Sequence, residues 1–121
     1  MIESIARHVN ADANLVRRGR FVDTAFAIAV DDTYYLVQIE RGHVDRVVAI
    51  LFLSPDHSFL LRATRSVWEK FWLDPPPPGF NDLFALTKQK LLRIEGDQYP
   101  LMCNLLYFKD VIAAPRKEHA R

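Results

Sequence analysis

The alternation of bulky apolar residues with small or polar residues between positions 21 and 53 most constrains how this chain can fold. A two-residue period is typical of a strand, because successive side chains in a strand point to opposite faces of a sheet. Asp31-Asp32-Thr33 and Arg41-Gly42-His43 are turn-like and divide the region into three segments. The pattern therefore predicts three strands joined by tight turns, which is an antiparallel meander.

The three predicted strands cover residues 21–30, 34–40 and 44–53. The first has one bulky face, with Phe26 and Ile28, and one thin face made of alanines. The second is rich in the aromatic and branched residues that suit a pleated surface. Ser54-Pro55-Asp56 then breaks the pattern, and residues 57–62 predict a fourth, short strand.

Helices are predicted before and after these four strands. Apolar residues recur at helical spacing from Glu3 to Asn10, so a short amphipathic helix is expected there, ending near Asn14. After the fourth strand, Thr64 suits the N-cap of a helix that runs to about Trp72. One side of that helix is crowded with apolar residues, which are Val67, Trp68, Phe71 and Trp72.

Four consecutive prolines, Pro75 to Pro78, exclude both a helix and strand pairing and predict a short, stiff link. A second compact helix follows, contains Phe84, and is expected to end near Lys88. Residues 90–95 then predict a fifth strand.

The last predicted helix follows the Gly96-Asp97 turn and runs to Ile112, with Asp97 as its N-cap and Pro100 in its first turn. One stripe of this helix is apolar: Leu101, Met102, Leu105, Phe108 and Ile112. Leu106 and Val111 widen the stripe, although a surface helix needs an apolar stripe only about 100° wide. A second apolar neighbour is therefore expected, either an ordinary core or a cavity for an apolar ligand. Residues 115–121 predict a polar, flexible tail.

Composition excludes several classes of function. A chain of 121 residues with a net charge of +1 fits one domain and gives no overall attraction to nucleic acid. Cys103 is the only cysteine, which excludes an internal disulfide and a cysteine-rich zinc site, and its apolar neighbours predict an inert thiol. Because the sequence shows neither a signal peptide nor a run of about 18 apolar residues, we expect a soluble cytoplasmic protein without integral membrane insertion.

Catalysis has little support in the sequence. A histidine acid or base would be His57 paired with Asp56, or His43 paired with Asp45, but neither pair lies in a supporting motif. The histidines lack the close spacing of metal ligands, and no glycine-rich loop predicts a phosphate site. The chain is therefore predicted not to be an enzyme and to need no cofactor or metal.

The order of these elements, from about Ile5 to Ile112, resembles the sterol carrier protein type 2 domain. The most specific local matches are Tyr35-Leu36-Val37-Gln38-Ile39-Glu40-Arg41-Gly42 and the segment from Lys90 to Asp97. Lys90 stands where that family often has glycine, and the proline run is longer than usual. The chain ends His119-Ala120-Arg121, whereas peroxisomal members end in a targeting tripeptide.

The resemblance implies an α+β fold. Its five-stranded, mainly antiparallel sheet has helices on one face, and an apolar tunnel lies between them. The ligand would be a fatty acid, fatty acyl, isoprenoid or sterol-like lipid. The predicted lining is Phe26, Ile28, Trp68, Phe71, Trp72, Phe84, Leu101, Met102 and Leu105. A polar head would contact Arg65, Lys70 or Gln38.

Three functional classes remain open. The first is passive binding or transfer of a hydrophobic ligand, and the second is an accessory role that presents such a ligand to a partner enzyme. The third, ranked lower, is a small enzyme acting on a hydrophobic substrate. A homodimer is a rival explanation for the surplus aromatic residues, through the edge of the third or fourth strand or through Trp72.

Overall fold

The structure, a computed structural model, describes residues 2–52 and 57–118. The first half contains two short helices and four strands: α1 (Ser4–Asn10), α2 (Ala13–Arg18), β1 (Asp23–Val30), β2 (Thr33–Glu40), β3 (His43–Ile50) and β4 (Phe59–Ala63). The second half contains α3 (Arg65–Phe71), α4 (Leu83–Lys88), β5 (Leu92–Gly96), α5 (Tyr99–Cys103), α6 (Leu105–Ala113) and a C-terminal 3-10 helix (Ala114–Glu118).

The five strands form one sheet in the order β3-β2-β1-β4-β5. The predicted meander is confirmed, since β2 runs antiparallel to both β1 and β3, with Val37 between Phe26 and Val47. β4 pairs with β1 in parallel, and β5 returns antiparallel to β4. The sheet is therefore mixed but mostly antiparallel, as the α+β prediction requires. The third strand ends at Ile50, earlier than predicted, since Leu51 and Phe52 are not part of it. Residue 53 and the predicted break at residues 54–56 lie outside the described residues.

The inner face of the sheet carries the main core. The rings of Phe26 and Phe59 stack with their centroids 4.9 Å apart and their planes 10° from parallel. Phe108 of α6 meets both rings edge-on, at 5.6 Å and 5.3 Å. All three side chains are fully buried. Offset and edge-to-face packing is the arrangement that aromatic quadrupoles favour, so this trio fixes α6 against the centre of the sheet.

The outer face of the sheet is thin, as the alanine alternation predicts. Ala27, Ala29 and Leu60 form a small separate cluster there, with Tyr34 packed against it. Arg62 donates from Nε to Glu95 at 2.9 Å and from its two terminal nitrogens to the Tyr34 hydroxyl at 3.3 Å. These contacts cover the small side chains with polar groups.

The N-terminal helix begins close to its predicted start and ends at Asn10, whereas the expected end near Asn14 was wrong, since Asn14 lies in α2. Asn10 at its end donates from its side-chain amide to the carbonyl oxygen of Val44 at 2.9 Å and accepts from the Val44 N–H at 2.8 Å. These two bonds satisfy part of the edge of β3. The sequence reasoning missed α2, although Asp12 signals it: Asp12 Oδ1 accepts from the N–H of Leu15 at 3.1 Å as an N-cap.

The prediction of one continuous helix after Gly96 was wrong. Asn104 separates α5 from α6, with φ −132° and ψ 41°. Because this break changes which sides of the helices face the core, Leu106 is 71% exposed and Cys103 lies at the surface. Cys103 is therefore not in the apolar setting that the sequence suggested.

Two further details of the second half differ from prediction. Asp97 is not the N-cap residue of α5, which is Gln98, although Asp97 Oδ1 accepts from the Tyr99 N–H at 3.1 Å. Residues 115–118 belong to the 3-10 helix rather than to a flexible tail. Arg116 holds this helix by donating to the carbonyl oxygens of Phe71, Phe80 and Asn81. The rest of the predicted tail, residues 119–121, lies outside the described residues.

Candidate functional site

Helix α3 fixes the two tryptophans of the chain. Its predicted N-cap is confirmed, since Thr64 Oγ1 accepts from the Val67 N–H at 3.3 Å. Trp68 and Trp72 lie one turn apart, and their rings stack with centroids 5.0 Å apart. The two rings form the apolar wall of the site.

Both indole N–H groups are satisfied by backbone oxygens. Trp68 Nε1 donates to Ala29 at 3.0 Å, and Trp72 Nε1 donates to Ile112 at 2.8 Å. Trp68 is therefore attached to β1, and Trp72 to α6. Because no indole donor is left over, the rings offer apolar surface rather than a hydrogen bond.

A cleft of about 90 Å³ is lined in part by Trp68 and Trp72, which are 0% and 3% exposed. We call it the tryptophan cleft, and its lining is Ile2, Glu3, Val30, Tyr35, Arg65, Trp68, Glu69 and Trp72. Ile2 and Val30 are nearly fully buried, whereas Glu3, Arg65 and Glu69 are exposed. The cleft therefore has an apolar floor and a charged mouth.

The nine predicted lining residues differ in their placement. Six are buried: Phe26, Ile28, Trp68, Phe71, Trp72 and Leu101. Phe84 and Leu105 are half-buried, and Met102 is 46% exposed, because the short helix α5 buries Leu101 instead. Of the nine, only Trp68 and Trp72 line the tryptophan cleft. Ligand contact by any of the nine stays a prediction.

The predicted tunnel is not seen in the described part of the chain. The space between the inner face of the sheet and the helices is occupied by side chains, including the trio of Phe26, Phe59 and Phe108 and the edge-on pair of Trp68 and Phe71, 5.7 Å apart. The tryptophan cleft borders this apolar interior beside the indoles, and its lining combines buried apolar residues with exposed charged ones.

Sequence reasoning did not assign Ile2, Val30 or Tyr35 to the site. Their periodicity carried a signal, since Ile2 belongs to the apolar stripe of the first helix and Val30 to the bulky face of the first strand. Tyr35 lies opposite Ile28, which places it on the same inner face. The sequence does not show which elements pack against one another, and this packing brings the three residues to α3.

The three residues that were predicted to contact a polar head lie in different parts of the surface. Arg65 lies at the mouth of the tryptophan cleft, and Lys70 lines a shallow groove along α3 that shares Arg65 and Glu69 with the cleft. Gln38 accepts from Arg46 Nε at 2.9 Å and lines a groove with Asp23 and Asp45 instead. Gln38 is therefore not part of the tryptophan cleft.

Carboxylates dominate the charge at the mouth of the cleft. The pKa of Glu3 is lowered by a hydrogen bond from its own backbone, by the amino terminus and by Arg65. The carboxylate of Asp31 accepts from the Arg65 N–H at 3.0 Å. Glu3 and Glu69 thus share the cleft lining with Arg65, and Asp31 binds the Arg65 backbone.

The structure gives no geometric support to the two histidine–aspartate pairs suggested by the sequence. His43 is exposed at the start of β3, and neither a hydrogen bond nor an ion pair between it and Asp45 occurs within residues 2–52 and 57–118. Asp56, the suggested partner of His57, lies outside the described residues. Over the same ranges, no group of three or more metal-ligating side chains comes together.

No helix in the described part of the chain combines the length and apolar character needed to cross a bilayer.

Comparison by sequence is uninformative, since no protein-family profile matches the chain and no curated protein matches it significantly. Comparison by structure is informative. A crystal structure of sterol carrier protein 2 superposes with a TM-score of 0.74 at 13% identity, covering 96% of this chain and 93% of that one.

Two further structures agree. A conserved hypothetical protein from Thermus thermophilus, described as possibly a sterol carrier protein, gives a TM-score of 0.64 at 12% identity, covering 96% of this chain and 84% of that one. The ubiquinone synthesis protein UbiJ-SCP2 gives a TM-score of 0.60 at 18% identity, covering 96% of this chain and 88% of that one.

A fourth similar structure is a larger protein, the inverting sec-alkylsulfatase Pisa1 from Pseudomonas sp., with a TM-score of 0.56 at 14% identity. The match covers 87% of this chain but 15% of the sulfatase. Identities this low establish architecture alone. The five-stranded sheet with its inner aromatic core and its helices therefore has the fold of the sterol carrier protein 2-like domains.

Proposed function

We propose that this chain binds a hydrophobic small molecule, without catalysis, at the tryptophan cleft. The observation that carries the proposal is a cleft lined by two stacked indoles in a fold shared with sterol carrier protein 2. Apolar sites bind by removing apolar surface from water and need few polar anchors. A site with few polar anchors leaves no distinct motif in a sequence, which agrees with the loose motifs of this chain.

Ligand binding at this site requires the cleft to widen. Its volume of about 90 Å³ is smaller than the cavity of roughly 150 Å³ that holds one benzene in an engineered apolar site. Ile2 is a nearly fully buried lining residue of the cleft and lies two positions before α1 in the chain. We infer that movement of Ile2 and the start of α1 admits the ligand.

An accessory role is the second candidate. One similar structure is that of a ubiquinone synthesis protein, and another is an enzyme of which this fold forms a small part. In such a role the chain would hold the same ligand and present it to a partner enzyme in the cytoplasm. A homodimer stays a prediction, but Trp72 is 3% exposed, which disfavours this residue as a subunit contact.

The first test is native mass spectrometry of the purified chain, with organic extraction of any bound molecule, followed by titration with the neutral fluorescent probe N-phenyl-1-naphthylamine. We expect one probe per chain and a change in tryptophan fluorescence, because both tryptophans line the cleft. A chain that carries no co-purifying ligand and does not bind the probe would overturn the proposal.

A pair of matched variants localises the binding. Val30→Phe fills the floor of the cleft and should weaken probe binding at least tenfold. Val48→Phe adds the same ring on the outer face of the sheet, where Val48 lies opposite Leu36, and should leave binding within twofold. Circular dichroism and thermal melting confirm that both variants are folded. Equal effects of the two variants would place the bound probe elsewhere.

A further inference from the structure

We propose that the mouth of the tryptophan cleft selects apolar ligands with an uncharged polar head, such as a long-chain alcohol or ketone, over ligands with a carboxylate head. This inference rests on the proposed function and narrows its ligand class. It removes the free fatty acid from the lipids that the sequence suggested.

The first argument is the charge around Arg65. Glu3 and Glu69 line the same cleft as Arg65, and Asp31 is hydrogen bonded to the Arg65 backbone. Two carboxylates therefore share the cleft lining with one guanidinium, and a third lies at the backbone of Arg65. The amino terminus that lowers the pKa of Glu3 adds a single further positive charge. A fatty acid would bring a fourth carboxylate to a mouth that is already negative, which Coulomb repulsion opposes.

Two of the N–H groups at the start of α3 are already bonded within the protein. A helix N-terminus favours anions through its free N–H groups. Here the Arg65 N–H donates to Asp31 at 3.0 Å and the Val67 N–H donates to Thr64 at 3.3 Å. Because these two donors are occupied by side chains of the protein itself, the first turn of α3 offers an anion fewer free N–H groups than an uncapped helix would.

The second argument is the polar group that remains for a neutral head. Tyr35 is half-buried on the wall of the cleft. Its hydroxyl forms no hydrogen bond with any other residue in the ranges 2–52 and 57–118. A phenol both donates and accepts, so it can pair with an alcohol or a ketone. Lys70 does not line the tryptophan cleft, and its ammonium lies 5.4 Å from the centre of the Phe80 ring.

The experiment compares 1-decanol, 2-decanone and decanoate, which share a chain length and differ in the head. Each displaces N-phenyl-1-naphthylamine at pH 7 in a buffer of low ionic strength, where charges are least screened. We expect the alcohol and the ketone to bind at least tenfold more tightly than decanoate. Tighter binding of decanoate would overturn the inference.

Because a carboxylate is also better hydrated than an alcohol, the decisive readout is the response to charge removal. The double variant Glu3→Gln, Glu69→Gln should strengthen decanoate binding about tenfold and leave decanol within twofold. Glu40→Gln, an exposed residue at the end of β2 that does not line the cleft, is the control and should change neither. A decanol-to-decanoate ratio that is the same in the double variant and in the wild type would overturn the inference.

The variant Tyr35→Phe tests whether the Tyr35 hydroxyl is the hydrogen-bond partner of an uncharged ligand head. Decanol binding should weaken about fivefold, whereas binding of the probe, which lacks an oxygen, should stay within twofold. If probe and all three ligands fail to bind wild type, the proposed function itself fails. If they bind without responding to these substitutions, only the head selectivity fails, so the two failures are distinguishable.

Discussion

The hydroxyl of Tyr107 donates a 2.6 Å hydrogen bond to the carbonyl oxygen of Gly42, which ties α6 to the turn between β2 and β3. Tyr107 is 3% exposed, and its ring packs over Gly19, where an added Cβ would overlap the ring. This junction joins the end of α2, the β2–β3 turn and α6. The Tyr107 ring also contacts the ring of Phe108, which connects this junction to the aromatic core on the inner face of the sheet.

Replacing Tyr107 with phenylalanine should lower the free energy of unfolding by about 1–3 kcal/mol, because the substitution leaves the Gly42 carbonyl without its partner. Urea denaturation measures the change as a lower midpoint with an unchanged slope. Tyr99→Phe is the control, since Tyr99 is 74% exposed and its loss should cost no more than about 0.5 kcal/mol. Equal effects of the two substitutions would contradict the importance of the buried bond.

Tyr107 should also make stability depend on alkaline pH. Burial raises the pKa of its phenol above the ordinary value of about 10. Above pH 10 the unfolded chain releases this proton while the folded chain keeps it, so stability is full below pH 10 and falls as pH rises. The free energy of unfolding, measured from pH 8 to 11, should fall more steeply for wild type than for Tyr107→Phe. Parallel curves would show that Tyr107 does not carry the effect.

Two glycines with similar dihedral angles should differ in their response to alanine. Gly42 has φ +82°, and an added Cβ would overlap backbone atoms of Val16 and Gly19, which cannot move independently. Gly79 has φ +85°, but its added Cβ would lie 3.0 Å from the flexible end of Gln89. We expect Gly79→Ala to cost about 1 kcal/mol, mainly from the positive φ, and Gly42→Ala to cost at least about 3 kcal/mol. Thermal melting of both variants measures the difference, and similar costs would argue against the close approach.

Arg116 should contribute more to stability than its neighbour Lys117. Its guanidinium donates to Phe71 at 2.7 Å and to Phe80 and Asn81 at 3.2 Å, and it lies 4.4 Å from the centre of the Phe71 ring. Arg116→Ala leaves three carbonyl groups without this donor and should cost about 1–3 kcal/mol in urea denaturation.

Lys117→Ala is the matched control for Arg116→Ala. It removes only an exposed 3.4 Å contact with Asp12 and should cost no more than about 0.5 kcal/mol. An effect of Arg116→Ala as small as that of the control would mean that water replaces the guanidinium at these carbonyls.

Most element types were predictable, because they depend on local periodicity. The alternation around Phe26 and Ile28 and the glycine at position 42 predicted the meander, and Thr64 predicted the start of α3. Features that lack a long period were missed. Helix α2 has only six residues, and the break at Asn104 falls in a run whose apolar spacing continues across it.

The sequence by itself determined the strand and helix pattern, the thin and bulky faces of β1, and the apolar side of α3, because these follow from the spacing of residues along the chain. Only the tertiary structure decided that β4 pairs with β1 in parallel and that Ile2, Val30 and Tyr35 meet Trp68 and Trp72. It also decided that Glu3 and Glu69 share the cleft lining with Arg65 and that Asp31 binds the Arg65 backbone. These residues come from separate elements, and their proximity depends on strand order and helix packing, which the spacing of residues along one chain does not encode.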